Sequence, residues 1–416
     1  MGMGGVQRTA KFVKYLPNFN WQPFVLTLNP KAYLAKDQSL LNELKSKNIK
    51  IFRTGDSNES NGHKVVKFRN DSSRKILSNI SQTFLLPDSK IFWKNKALKL
   101  AEEIISQNKI DLIYSTAPPY TDFLIACSLK KKFNIPVIID YRDSWIDCPN
   151  NFYATPFHKN QHRKMETEVL KNADKVVTIN GRIKELIIER YPFKKDRDIF
   201  VIPQGFDSED FESRNNSGSL FTTDKFRITY SGSFLNYYTP EYFLKALKLF
   251  IDENPDAKKN VEAVFIGYFP NEYKRLIDEL QLHANVNLSG YLEHKSCINH
   301  LIESDVLWMM INETKRSDLH STGKLYEYFG TRKPIIACVP EGAARQSLCG
   351  HGAAELTKPD DVPGIKTAIQ KYYSLYLQNK LPVANESFIK NYDRKYLTES
   401  LANILNSISM NEKVIA

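Results

Sequence analysis

The sequence predicts an α/β protein built from two doubly wound, Rossmann-like domains that face a cleft. Three observations predict it. Short apolar runs alternate with helical patterns along nearly the whole chain, the pattern of βα units on a parallel sheet. The 416 residues suffice for two domains of roughly 200 residues each. The alternation breaks near the middle, at the polar, Gly/Ser-containing stretch Arg214–Leu220, and then restarts.

The first domain is expected over residues 1–213. Its strands read as Phe24–Leu28, Ile49–Arg53, Leu112–Ser115, Val137–Asp140, Lys175–Ile179 and Phe200–Ile202. Helical patterns fall near 8–16, 39–47, 90–107, 119–132, 158–172 and 181–190. Residues 214–225 read as a linker. The second domain is expected over 226–385, with strands Arg227–Ser231, Glu262–Ile266, Val286–Leu288, Val306–Met310 and Pro334–Ala337. Its helices fall near 240–253, 271–281, 295–303, 322–330, 343–348 and 361–378. A last helical pattern over 386–405, within the segment 386–416, is expected to cross back to the first domain. Ligands of such sheets bind at the carboxyl ends of the strands.

Composition excludes several classes. Of the residues, 42% are hydrophobic and 25% charged, and no apolar run reaches the length of a membrane span. The first eight residues, Met1-Gly2-Met3-Gly4-Gly5-Val6-Gln7-Arg8, carry no apolar leader segment. Five scattered cysteines without CxxC spacing argue for a reducing cytoplasm. The eight histidines form no HxxH or HExxH cluster, and no Walker loop or GxSxG elbow is present. No metal or other cofactor is expected.

The net charge of +11 is uneven: residues 1–200 hold 34 basic and 20 acidic side chains, +14, and the remainder holds 24 and 27, −3. A basic first half suits an anionic partner. Nucleic acid is not expected, because no aromatic-interleaved stripe or known module accompanies the charge. Lys94, Lys96 and Lys99 beside Ile91, Phe92 and Trp93 suggest peripheral attachment to an anionic membrane surface, on the inner face of the plasma membrane.

The stretch Ser321–Ala337 carries the sharpest chemical signal. Ser321 or Thr322 can cap a helix, Gly323 lets a ligand approach the backbone, and Leu325, Tyr328 and Phe329 form an apolar face. Gly330 ends the helix ahead of a buried strand. A helix start with Lys324 in its first turn suits a phosphate, and Glu327 lies three residues on. That combination fits a diphosphate with hydroxyls at its other end, which describes a nucleotide sugar. The alternative is an ordinary exposed ion pair. Three further turns follow strands: Gly232-Ser233, Gly267, and Gly290-Tyr291-Leu292. In the first half, Ser115–Tyr120 and Asp140–Trp145 also follow strands and reach the same rim.

The Ser321–Ala337 stretch resembles the donor-binding helix of GT-B-fold glycosyltransferases, close to retaining family 4 members of cell-surface polysaccharide assembly. In that group the helix carries two glutamates eight positions apart. Glu327 matches the second, which implies ribose binding. Leu319 stands where the first is expected. The resemblance places Gly4 and Gly5 in a loop near the donor diphosphate or the acceptor, and Gly232, Ser233, Gly267, Tyr291 and Leu292 around the donor. Ser233 stands where relatives carry an arginine, which leaves Lys324 as the cation for the leaving nucleotide. Asp140–Trp145 resembles an Arg-Asp-x-Trp stretch. It implies that Arg142 binds phosphate and Asp143 accepts a hydrogen bond from the acceptor hydroxyl. The implied function is a metal-independent, retaining transfer of sugar from a nucleotide to a glycan or lipid-linked acceptor. Alternatives are a non-catalytic glycan-assembly subunit or a sugar-nucleotide epimerase of the same shape. One departure concerns the start. Gly4-Gly5 comes almost at once, so the first strand of the N-terminal sheet is missing, whether by a misplaced start, truncation or loss. Weak stability or altered packing is expected there.

Overall fold

A computed structural model describes residues 5–29, 39–54, 82–148, 151–212, 225–235 and 238–415. Gly4 and the Arg214–Leu220 stretch lie outside the described residues. The chain forms two compact units, Met1–Pro203 with Leu397–Ala416, and Gln204–Tyr396. The division thus falls at Pro203, directly after the last strand of the first unit, and not at residue 213. No helix among the described residues is long and apolar enough to cross a membrane.

The first unit contains strands β1 (Phe24–Leu28), β2 (Lys50–Thr54), β3 (Ile113–Ala117), β4 (Val137–Tyr141), β5 (Lys175–Thr178) and β6 (Ile199–Val201). Helices α1 (Gly5–Tyr15), α2 (Ser39–Ser46), α3 (Lys94–Gln107), α4 (Thr121–Phe133), α5 (Pro156–Asn172) and α6 (Gly181–Arg190) alternate with them. Local chemistry sets their starts. Thr155 caps α5 and Pro156 takes its first position, while Asn180 Oδ1 accepts from Ile183 N at 3.0 Å to cap α6. β4, Val-Ile-Ile-Asp-Tyr, is buried at every residue, as expected of a strand covered on both faces.

Among the described residues the strands of this unit fall into two groups. β1 and β2 form a parallel pair, and β3-β4-β5-β6 form a parallel sheet of four. Helix α1 is held to the larger sheet by a buried ion pair. Arg8 is wholly buried, and its Nε and Nη2 donate to Asp140 Oδ2 and Oδ1 at 2.9 and 3.0 Å. Its Nη1 donates to Pro203 O at 2.8 Å, and Thr116 Oγ1 donates to Asp140 Oδ2 at 3.1 Å. Every Asp140 oxygen and three Arg8 nitrogens therefore have partners.

The second unit carries β7 (Phe226–Ser231), β8 (Val261–Ile266), β9 (Val286–Gly290), β10 (Val306–Met310), β11 (Ile335–Cys338) and β12 (Ala354–Thr357). They form one parallel sheet in the order β12-β11-β10-β7-β8-β9. Helices α7 (Glu209–Glu212), α8 (Glu241–Glu253), α9 (Ala257–Asn260), α10 (Asn271–Glu279), α11 (His294–Glu303), α12 (Gly323–Thr331), α13 (Ala343–Leu348), α14 (Val362–Leu377) and α15 (Glu386–Lys390) belong to it. Two aromatic-rich clusters cover its faces, one around Tyr230, Phe234 and Trp308, the other around Leu325, Tyr328 and Phe329.

Two expectations needed correction. β12 was not foreseen, because Ala-Glu-Leu-Thr is an edge strand with only half-buried residues and no apolar run. The helix expected over 386–405 is two helices, α15 and α16 (Arg394–Ile415). Between them the backbone turns to pair with Phe206: Phe206 N donates to Tyr392 O at 3.1 Å and Arg394 N to Phe206 O at 2.8 Å. From Leu397 onward α16 belongs to the first unit, where Leu397, Leu401 and Leu405 join Phe12, Ile138 and Val177 in one core.

The ion pair sets a measurable dependence. Arg8→Met leaves a buried carboxylate without its partner, which costs about 3–5 kcal/mol. The double variant Arg8→Met/Asp140→Leu removes both charges and is expected to regain most of that loss. Native-state amide exchange in β4 measures both; equal destabilisation in the two variants would show that the pair does not hold α1.

Candidate functional site

The site lies at the carboxyl edge of the second sheet, where β7 neighbours β10 and the order reverses. The β7–β10 ladder is short, pairing only Ile228 with Val306 and Thr229 with Leu307. Past it, the Tyr328 hydroxyl of α12 stands between the strands. It accepts from Ser231 N at 2.9 Å and donates to Trp308 O at 3.0 Å. Backbone groups that the splayed strands leave unpaired are thereby satisfied.

On the β7 side three glycine turns step outward. Gly232 N donates to Ile266 O and Gly267 N to Gly290 O, each at 2.7 Å. Gly232 and Gly267 have φ of 149° and 123°, which an L side chain rarely adopts. A Cβ on Gly267 would meet Gly232 O at 2.5 Å, and one on Gly232 would meet Lys324 Nζ at 1.8 Å. The ammonium occupies the room that the bare backbone leaves.

Lys324 lies in the first turn of α12. Its Nζ donates to Tyr230 OH at 3.1 Å and lies 4.9 and 5.1 Å from the ring centroids of Tyr230 and Tyr238. Burial lowers its pKa to about 8, against the opposing pull of Glu327. Thr322 takes the cap position without a side-chain cap bond, and its buried Oγ1 has no partner. Gly323 faces open space. The first N–H groups of the helix, which have no carbonyl within it, open on the same place.

Glu327 does not pair with Lys324. Its Oε1 lies 4.0 Å from His294 Nδ1, and His294 Nε2 lies 3.3 Å from Asp210 Oδ2. Burial raises the Glu327 pKa, and His294 is the strongest opposing influence. A half-buried carboxylate with no hydrogen-bond donor among the described residues suits a ligand hydroxyl.

The other candidates are placed as follows. Ser321 Oγ bonds Tyr326 OH at 2.6 Å and so shapes the loop ahead of α12. Ser233 Oγ accepts from Tyr268 N at 3.3 Å, supporting the neighbouring turn. Tyr291 is exposed and Leu292 half-buried, directly after Gly290. Leu319 is buried on the 3-10 turn Ser317–Leu319. In the first unit, Gly5 opens α1. Arg142 N donates to Ala117 O at 2.9 Å, and its guanidinium donates to Ala117 O and Pro118 O, bracing the end of β3 and the turn after it. Asp143 is exposed beside it. Sequence reasoning missed Tyr230, Tyr328 as a polar group, His294 and Asp210. A tyrosine inside an apolar strand or helix face was the available signal, since its hydroxyl needs a partner. Among the described residues no three His, Cys, Asp or Glu side chains are grouped to hold a metal ion.

Two units with parallel sheets in one chain, the second with a strand reversal lined by glycine turns and a helix start, fit the GT-B class. Solved structures share the fold. A glycosyltransferase from Rickettsia africae ESF-5 matches with a TM-score of 0.65 and 16% identity, covering 97% of this chain and 95% of that one. Anabaena Alr3699/HepE in complex with UDP matches with a TM-score of 0.64 and 14% identity over 97% and 96%. Sucrose-phosphate synthase from Thermosynechococcus elongatus matches with 0.62 and 14% over 100% and 94%. Residues 3–210, half of the chain, match Glycosyltransferase Family 4, and the chain belongs to that family. No curated protein sequence matches it.

An anion held by Lys324 is expected to bind in a pH-dependent way. Its charge is full well below pH 8 and is lost as pH rises through about 8. Affinity for a nucleoside diphosphate is expected to hold between pH 6.5 and 7.5 and then to fall by up to about tenfold per unit. The bound anion raises the lysine pKa, so the fall ends at the higher value. Lys324→Met should bind weakly with no such slope above pH 8. Titration calorimetry across pH tests it, and the same slope in the variant would remove Lys324 from the site.

Proposed function

We propose that the enzyme moves a sugar from a nucleoside-diphosphate sugar to a hydroxyl of a glycan or lipid-linked acceptor, with retention of configuration and without a metal ion. The observation that carries the donor assignment is the Lys324 ammonium seated over Gly232, beside a helix start whose Thr322 Oγ1 has no partner. The Anabaena protein of the same fold was solved with UDP, which supports a nucleotide at this site.

The chemistry asked of these residues is electrostatic. As the glycosidic bond to phosphate breaks, negative charge grows on the diphosphate. Lys324 and the first N–H groups of α12 are already oriented toward it, so little reorganisation is needed. Glu327 accepts hydrogen bonds from the ribose hydroxyls, and His294 and Asp210 hold it in place. Asp143 accepts from the acceptor hydroxyl. Arg142 supports the neighbouring loop and stays within reach of an acceptor phosphate only by releasing its carbonyls. A non-catalytic donor-binding subunit is the second reading, favoured by the apolar Leu319 in the place of an expected acid.

A charge-assisted phosphate contact is worth roughly 1.5–3 kcal/mol. Lys324→Ala should therefore weaken nucleoside diphosphate about ten- to a hundred-fold and spare the plain nucleoside. Glu327→Gln should weaken both alike, because ribose is common to them. Asp143→Asn should lower turnover and leave nucleotide affinity unchanged. Calorimetry and donor turnover measure these effects. Unaltered affinities in both second-unit variants would discard the donor site, and nucleotide binding without any turnover would favour the subunit reading.

Peripheral membrane attachment is proposed from Phe92, 76% exposed, with Lys96 and Lys99 exposed on the following turns. Trp93 does not contribute, since its Nε1 donates to Thr54 Oγ1 at 2.6 Å. Each basic residue near an anionic surface adds about 1 kcal/mol, weakened by salt. Flotation with anionic liposomes at low salt is expected, and Phe92→Ser should reduce it. Flotation that ignores lipid charge would sink this part.

A further inference from the structure

Trp145 closes the Asp140–Trp145 stretch, and nothing in the site described above uses it. It is wholly buried, in the loop that follows β4 and carries Arg142 and Asp143. Its ring stacks on Tyr120, with centroids 4.5 Å apart and planes 9° apart. Its Nε1 donates to Nδ1 of His162, on α5, at 2.9 Å. His162 is itself only 5% exposed.

Four consecutive carbonyls of this loop face tyrosine hydroxyls. Tyr120 OH donates to Ser144 O at 2.9 Å and lies 3.4 Å from Asp143 O. Tyr153 OH donates to Trp145 O at 3.0 Å and lies 3.4 Å from Ile146 O. His162 touches both halves of this clamp. It holds the indole that stacks on Tyr120, and the Tyr153 ring meets the His162 ring edge-on at 5.1 Å.

An indole N–H can only donate. A neutral imidazole accepts at Nδ1 while its proton sits on Nε2, whereas a protonated one donates at both nitrogens. The bond to Trp145 therefore exists only while His162 is neutral. Charging the ring would set two N–H groups against each other inside the core. Burial lowers the His162 pKa below its ordinary 6.5; Asp88 opposes this and His158, one turn earlier on α5, adds to it. The folded value lies below the unfolded one. The bond is thus fully present above about pH 6.5 and is lost as pH falls through the folded value. The other charged groups around it are engaged elsewhere. Asp88 accepts from Thr121 N and Oγ1 at the start of α4, and burial keeps Asp122 protonated up to about pH 8. Glu166, one turn later on α5, accepts from Tyr191 OH at 2.5 Å, and Arg190 Nη2 donates to Asp147 Oδ2 at 2.6 Å. Lys159 Nζ lies 6.0 Å from the Tyr153 ring centroid, and Arg163 and Lys164 are exposed.

We propose that His162 is a positioning residue: its neutral ring latches Trp145 and so holds the backbone that carries Asp143, and its protonation releases that loop. The consequence for transfer rests on the role of Asp143 proposed above. The latch itself does not, since it is defined by the bond between two buried rings.

The test follows the Trp145 indole N–H by NMR in the isotope-labelled full chain from about pH 7.5 to about pH 5, with Trp145→Phe assigning the signal. The signal is expected to move upfield as the bond is lost. Amide protection over residues 143–147 is expected to fall about tenfold or more across the same range. His162→Gln, whose amide oxygen accepts from the indole at any pH, is expected to keep both the signal and the protection. His162→Leu should lack the protection already at the higher pH; if it does not fold, the glutamine variant carries the comparison. The indole signals of Trp21 and Trp308 should stay in place, which separates release of the latch from global unfolding. A Trp145 signal that ignores pH, or one that moves equally in His162→Gln, overturns the proposal. A loss of protection that survives His162→Gln and disappears in Glu166→Gln moves the titration to Glu166 and also overturns it. These readouts need no substrate. Unaltered turnover in Asp143→Asn would discard the role of Asp143 and leave the latch as measured.

Discussion

The candidate site depends on where one hydroxyl is placed. The β7–β10 ladder stops after two residue pairs, and Tyr328 OH takes up the backbone groups on both sides of the opening. This contact fixes the rotation of α12 about its own axis. Residues four apart share a helix face, so once Tyr328 points into the sheet, Lys324 must point into the crevice one turn nearer the helix start. Gly232 then has to be bare, because the ammonium lies where its Cβ would be. Lysine, glycine turn and helix start are thus consequences of a single anchoring bond.

Two of the chain's cations, Arg8 and Lys324, are held in opposite ways, and the contrast separates structure from function. Arg8 is matched donor by donor, with both oxygens of Asp140 and the carbonyl of Pro203 around its guanidinium. Nothing of its charge is left for a ligand. Lys324 has a neutral hydroxyl and two aromatic faces, and burial already works against its charged form. A charge desolvated but not neutralised is stabilised when an anion arrives. The same comparison reassigns Asp140. It opens the stretch that sequence alone marked as a functional rim, yet its carboxylate is consumed in holding α1.

What was legible in the sequence follows from how each feature is encoded. Strands covered on both faces, such as Val-Ile-Ile-Asp-Tyr in β4 and Val-Leu-Trp-Met-Met in β10, are written as continuous apolar runs and were found. β12 is an edge strand without such a run and was not. The break before α16 comes from pairing with Phe206, far away in sequence, and has no local signal. At the site, the residues clustered on α12 could be read because one helix start gathers them. Tyr230, His294 and Asp210 reach Lys324 and Glu327 only through the order of the sheet and the packing of α11, which no local spacing records. Arg142 and Asp143 read as a pair because they are adjacent; the fold sends the first to backbone carbonyls and leaves the second exposed.

The path of α16 governs the order of assembly during synthesis. The first unit starts the chain, but its core includes Leu397, Leu401, Ile404 and Ile408. The second unit is one uninterrupted segment, Gln204–Tyr396. On a ribosome, the later-made unit can therefore close first. The earlier one must wait, its Phe12, Ile138 and Val177 surface uncovered, until nearly two hundred further residues have emerged. That interval is when the N-terminal half is most exposed to chaperones, proteases and wrong partners, and it is set by topology and not by the strength of any single contact.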